Sequence, residues 1–67
     1  MKYYVFQTIN DVEPEVHGPF KTSKERDDKA KVLRLNDPEM ENGLFSLDLS
    51  DNGIIDTYSY SAGFFNI

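Results

Sequence analysis

Few residues in this chain have the types and spacing to do chemistry. His17 is the sole histidine, and it could serve as a base, but no Ser or Cys nucleophile sits in a recognisable elbow beside it. Glu13 with Glu15, and Glu39 with Glu41, are spaced like paired carboxylates for acid and base work. Each pair falls beside Pro or Gly in a stretch that reads as loop, where acids are ordinarily solvated. Asp48, Ser50, Asn52 and Asp56 offer side-chain oxygens at a spacing suited to a calcium loop, with Gly53 at its sharp turn and Ile55 at its apolar position. Ser59 stands where that loop requires a bidentate Glu, and the flanks alternate like strands rather than helices. A hairpin turn accounts for the segment better.

The absence of Cys excludes a disulfide framework, thiolate metal sites and a Cys nucleophile. No glycine-rich phosphate loop, zinc spacing or dinucleotide fingerprint occurs. A 67-residue chain offers a small core with little room for a pocket of ~300 Å3 or more. The expectation is therefore a protein that is not an enzyme, with no catalytic residues, no metal and no cofactor.

The elements that must position any site are better marked. Residues 2–9 are aromatic and β-branched without a breaker and read as a strand. Tyr3, Val5 and Ile9 take one face, Tyr4 and Phe6 the other, so both faces are apolar. Asn10-Asp11 and Glu13-Pro14-Glu15 read as a turn, and residues 16–20 as a short second strand stopped by Gly18-Pro19. Thr22-Ser23-Lys24-Glu25 is a capping box, with Thr22 as N-cap and Glu25 reaching back to its amide. The helix it opens ends at Asn36, ahead of Asp37-Pro38. Glu25–Lys29 and Asp27–Lys31 are spaced as i,i+4 pairs along it. Its buried stripe is thin, Ala30 and Leu33 flanked by the stems of Arg26 and Lys29.

Residues 44–49 alternate, with Phe45, Leu47 and Leu49 on one face and Ser46 and Asp48 on the other. Asn52-Gly53 is a strong hairpin signal, and residues 54–61 return from it with Tyr58 and Tyr60 on one face. The fold class expected is α+β: a small β(β)αββ sandwich, with a three- or four-stranded, mainly antiparallel sheet and one helix packed on one face. Residues 1–67 form a single compact domain in this reading, with the last strand placed beside the first.

Gly18-Pro19-Phe20, followed by Thr22 and then Glu25-Arg26-Asp27, resembles a pattern found in small uncharacterised bacterial and phage-type α+β domains. These run strand, Gly-Pro-Phe, capped helix and terminal hairpin. The resemblance spans the middle third of the chain. It implies a compact α+β domain and carries no activity onto particular residues.

Charge is placed unevenly. The formal net charge is -5, yet six of the seven bases lie between Lys21 and Arg34. Those bases spread round the whole helix and are interleaved with Glu25, Asp27 and Asp28, which argues against direct nucleic-acid binding. No run of roughly 18 to 20 apolar residues marks a membrane span, and residues 1–9 lack the pattern of a signal peptide. A cytoplasmic protein is the default expectation.

Tyr3, Tyr4, Tyr58 and Tyr60, with Phe64 and Phe65, exceed what one thin helix covers on one sheet face, which points to an exposed aromatic patch. The function expected is a noncatalytic protein-interaction domain that binds a protein partner or itself as a homodimer. Tyr3, Tyr58, Tyr60 and Phe64 are the candidate contacts. The alternative is an acidic inhibitor of a DNA- or RNA-binding protein, mimicking phosphate with Glu39, Glu41, Asp48, Asp51 and Asp56.

Overall fold

Aromatic and β-branched residues dominate the first segment, and it forms a central strand, β1 (Lys2–Ile9). The computed structural model describes residues 1–37 and 42–65. Asn10, at φ 28°, turns the chain into β2 (Val12–Phe20), which pairs antiparallel with β1. β2 therefore begins well before residue 16 and includes Glu13, Pro14 and Glu15, which the sequence reading assigned to a turn. Its position explains this: β2 is an edge strand, and prolines are tolerated where a missing N–H leaves no ladder bond unmade. Its register against β1 is interrupted twice.

Helix α1 (Ser23–Leu35) starts where the capping signal places it. The Thr22 hydroxyl accepts the Glu25 N–H at 3.1 Å. Glu25 reaches back one residue further than expected, its carboxylate accepting the Lys21 N–H at 3.3 Å. The exposed i,i+4 pair is Lys24–Asp28 at 2.9 Å, because Asp27 is turned inward. Ala30 is the fully buried helix residue and Leu33 packs beside it, whereas Leu35 is 80% exposed.

β3 (Gly43–Leu49) and β4 (Ile55–Ser59) form the terminal hairpin, and a short helical turn, α2 (Ala62–Phe65), follows. Gly53 adopts φ +83° at the turn, where a side chain would be strained. Its N–H donates to the Ser50 carbonyl at 3.0 Å, and the Ser50 N–H donates to the Ile54 carbonyl at 2.9 Å. Both flanks of this turn are strands, so the oxygen-rich segment is a hairpin and not a helix-flanked calcium loop.

The four strands run in the order β2-β1-β3-β4, antiparallel at each step. The fold is thus small α+β, an open antiparallel sheet with one main helix against it. The last strand does not lie beside the first. β3 takes that place, and the tight Asn52-Gly53 turn leaves β4 on the far side of β3, at the edge. β2 and β3 both run opposite to β1, so α1 carries the chain across β1 between two strands of like direction.

The core is small. Val5, Ala30 and Leu44 are buried, with Phe20, Leu33, Tyr60, Phe64 and Phe65 packed around them. These contacts put both helices on one side of the sheet.

Candidate functional site: an uncovered apolar sheet face

Register decides which side chains each face of the sheet presents. In the β1–β3 pair, Tyr3 lies opposite Asp48, Val5 opposite Ser46 and Gln7 opposite Leu44, and these face α1. Tyr4 lies opposite Leu47, Phe6 opposite Phe45 and Thr8 opposite Gly43, on the other side. β4 extends this second row with Thr57 opposite Leu47 and Ile55 opposite Leu49. β2 adds Val16 opposite Phe6. Apolar side chains therefore run across β2, β1 and β3 on the face away from the helices, bordered by Lys2 opposite Leu49 and, on β4, by Thr57 and Ser59 beside Ile55.

That face has local shape. Phe6 and Phe45 meet edge to face with ring centroids 6.2 Å apart. Gly43 donates its N–H to the Thr8 hydroxyl at 3.1 Å, an approach that a Cβ at residue 43 would block. Phe6, Thr8, Phe45, Leu47 and Thr57 line an open hollow of about 370 Å3. A hollow of that size was not expected of so small a protein. It exists because it lies on the sheet surface and not in the core. Its lining carries two hydroxyls and no titratable group.

The helix-covered face has a different chemistry. Arg26 links α1 to the sheet, pairing with Asp48 through Nη1 and with Asp27 through Nε at 3.0 Å. Its guanidinium lies 5.4 Å from the Tyr3 ring centroid. Burial opposes the Arg26 charge, but the hydrogen bonds to Asp48 and Asp27 outweigh it and hold the group above its ordinary range. The Tyr60 hydroxyl donates to Asp27 at 2.9 Å. Burial first, then that hydrogen bond, pushes the Tyr60 phenol above its ordinary value of 10. Beneath it, Tyr60 packs on Phe64 at 4.7 Å and Phe65 at 5.8 Å. Lys31 and Arg34 lie over the Phe64 and Phe65 rings.

The four aromatic contact candidates from the sequence all fall on the helix side by register or packing. Tyr60 and Phe64 come together in the internal aromatic cluster, and Tyr3 lies half-buried under Arg26. Tyr58 alone is prominent at the surface, 68% exposed on β4 opposite Ser46. Tyr4, Phe6 and Phe45 lie on the face without a helix and are half-buried there. The alternation of β1 and β3 already grouped them by parity, but not by which parity the helix covers.

The acidic candidates are dispersed. Asp48 is half-buried against Arg26, Asp51 is exposed and receives the terminal ammonium at 3.1 Å, and Asp56 is exposed on β4. Glu39 and Glu41 lie outside the described residues. His17 bonds Gln7 Oε1 at 3.1 Å and lies 3.5 Å from Glu15.

No protein-family model, curated protein or solved structure matches this chain. Among the described residues, no helix is long and apolar enough to cross a membrane, and no group of three or more His, Asp or Glu side chains could hold a metal ion.

Proposed function

We propose that the chain is a noncatalytic protein-interaction domain, working in the cytoplasm, whose contact surface is the uncovered sheet face. One observation carries the reading. Tyr4, Phe6, Phe45, Leu47 and Leu49, each half-buried, form a contiguous apolar surface on the side of the sheet away from both helices. Exposed apolar patches rimmed by polar groups are the usual form of a protein-binding surface. The lack of titratable groups around the hollow supports a binding role over a reaction.

The acidic-inhibitor alternative draws on the net charge of -5. Arg26 takes Asp48 away from such a surface, leaving Asp51 and Asp56 as its exposed described members.

The test is capture of partners by the tagged chain at low and high salt, with wild type and the double variant Phe6→Thr, Leu47→Thr side by side. Thr keeps the strand propensity while removing the apolar surface. A partner held at high salt by wild type and lost by a variant that still melts cooperatively supports the proposal. Capture indifferent to the substitutions overturns it. A partner lost at high salt from both chains favours the acidic reading.

A further inference from the structure

We infer that the free edge of β4 is a self-pairing edge, which joins two copies of this chain antiparallel about a two-fold axis at Thr57. The inference goes beyond the binding face and does not depend on it, because it rests on backbone groups at the rim of the sheet.

The two edges of the sheet are built differently. β2 carries Pro14 and Pro19, the acids Glu13 and Glu15, and two breaks in register. These are the devices by which proteins stop a sheet from adding another strand. β4, Ile-Asp-Thr-Tyr-Ser, has no proline and no Lys, and its register against β3 is continuous. Every residue of β4 is exposed, with Ile55 at 59%.

Backbone direction along β4 follows from two bonds. The Tyr60 N–H donates to the Leu44 carbonyl at 3.2 Å, and the Ser50 N–H donates to the Ile54 carbonyl at 2.9 Å. Hydrogen-bonded positions alternate in an antiparallel pair, so Ile54, Asp56, Tyr58 and Tyr60 direct their N–H and C=O groups at β3. Ile55, Thr57 and Ser59 direct theirs outward, where no strand follows in the sheet among the described residues.

Charge then selects the register. Asp56 is the only charged residue on β4. A two-fold axis at Asp56 would set it against its own copy, and like charges directly opposite are destabilising. An axis at Thr57 sets Ile55 opposite Ser59 of the copy, Thr57 opposite Thr57, and Asp56 opposite the neutral Tyr58. Every outward N–H and C=O of Ile55, Thr57 and Ser59 then has a partner. Thr–Thr cross-strand pairs are themselves favourable. An axis at Tyr58 brings Ile55 opposite Ser61, which lies outside the strand, and leaves that pair unmade. The two-fold at Thr57 doubles the four-stranded sheet, keeps the helices of both copies on one side, and sets the two apolar faces side by side.

Sedimentation equilibrium, with concentration raised to about 1 mM, tests this on wild type and three variants. Thr57→Pro removes an outward N–H and no bond to β3, so it should weaken dimerisation at least about tenfold while the melt stays cooperative. Tyr58→Lys places a cation opposite Asp56 of the copy and should strengthen it. Phe6→Thr with Leu47→Thr should leave it unchanged, which separates failure of the edge from failure of the face. In wild type, hydrogen exchange at the Ile55, Thr57 and Ser59 amides should slow as concentration rises, while the Tyr58 amide stays as it was. A chain monomeric throughout overturns the inference. So does a dimer that survives Thr57→Pro or is weakened by Tyr58→Lys.

Discussion

The two faces of the sheet differ in what accompanies their apolar residues. The face under the helix holds Gln7, Ser46 and Asp48 beside Val5 and Leu44, and it is joined to α1 by an arginine. The face without a helix holds Phe6, Phe45, Leu47 and Leu49. A sheet packed on one side ordinarily turns its apolar residues to the core and its polar residues to water. Here α1 offers little but Ala30 and Leu33 to bury, so the covered face is completed by Phe20, Tyr60, Phe64 and Phe65 and by a hydrogen-bonded network around Arg26. The Phe6–Phe45 contact gives the other face some value to the monomer, but part of its apolar surface stays open to water. Its presence is intelligible as a surface that is covered when the protein works.

Substitutions that weigh the two faces against each other should give a graded series. The largest effect belongs to Arg26→Met. It leaves the half-buried Asp48 carboxylate without its cation and should destabilise by about 3 kcal/mol, the lower end for a broken buried pair. For a domain of this size, that lowers Tm by more than about 12 °C in a calorimetric scan. Val5→Ala, at a fully buried position, should lose about 2 kcal/mol in a urea titration through missing methyl groups and the space they leave.

Tyr60→Phe should lose about 1 kcal/mol at neutral pH, since Asp27 keeps Arg26 as a partner. Its clearer signature is alkaline. The folded phenol titrates above its ordinary value of 10, so the unfolded chain releases this proton first. Stability from Tyr60 is complete below about pH 10 and falls as pH rises from there through the folded value. Denaturant melts from pH 8 to 11 should show wild type losing stability faster than Tyr60→Phe above pH 10. Equal slopes would remove Tyr60 from the network.

The smallest effect should come from the uncovered face. Phe6→Thr and Leu47→Thr, at half-buried positions, should each cost about 1 kcal/mol, less than Val5→Ala. If either destabilises as much as Val5→Ala, that face is packed in the monomer and the contrast between the faces fails.

Local signals in the chain marked most of the elements. Thr22 and Glu25 announced the helix start, Asn52-Gly53 the terminal hairpin, and the unbroken aromatic run of residues 2–9 the first strand. Each depends on residues close in sequence, through a cap, a positive φ or a period of two. β2 was legible only in its second half, because Pro14 argues against a strand unless that strand is known to lie at an edge.

What the residues alone could not determine is which parity of β1 and β3 the helix covers, and which strand neighbours β1. With apolar side chains on both faces of β1, hydrophobic alternation has no preferred inside, and a choice of the wrong face moves every contact residue by one position. Tyr3, Tyr60 and Phe64 were thus grouped for exposure, yet Tyr3 lies against Arg26, Tyr60 bonds Asp27, and Phe64 of α2 packs on Tyr60, all on the helix side. That assignment came from tertiary contacts, above all the Arg26–Asp48 pair, which joins residues far apart in the chain and leaves Tyr4, Phe6 and Phe45 on the face away from the helices. Sequence determined the elements because their causes are local. Only the packed fold decided the faces, because burial depends on what else arrives.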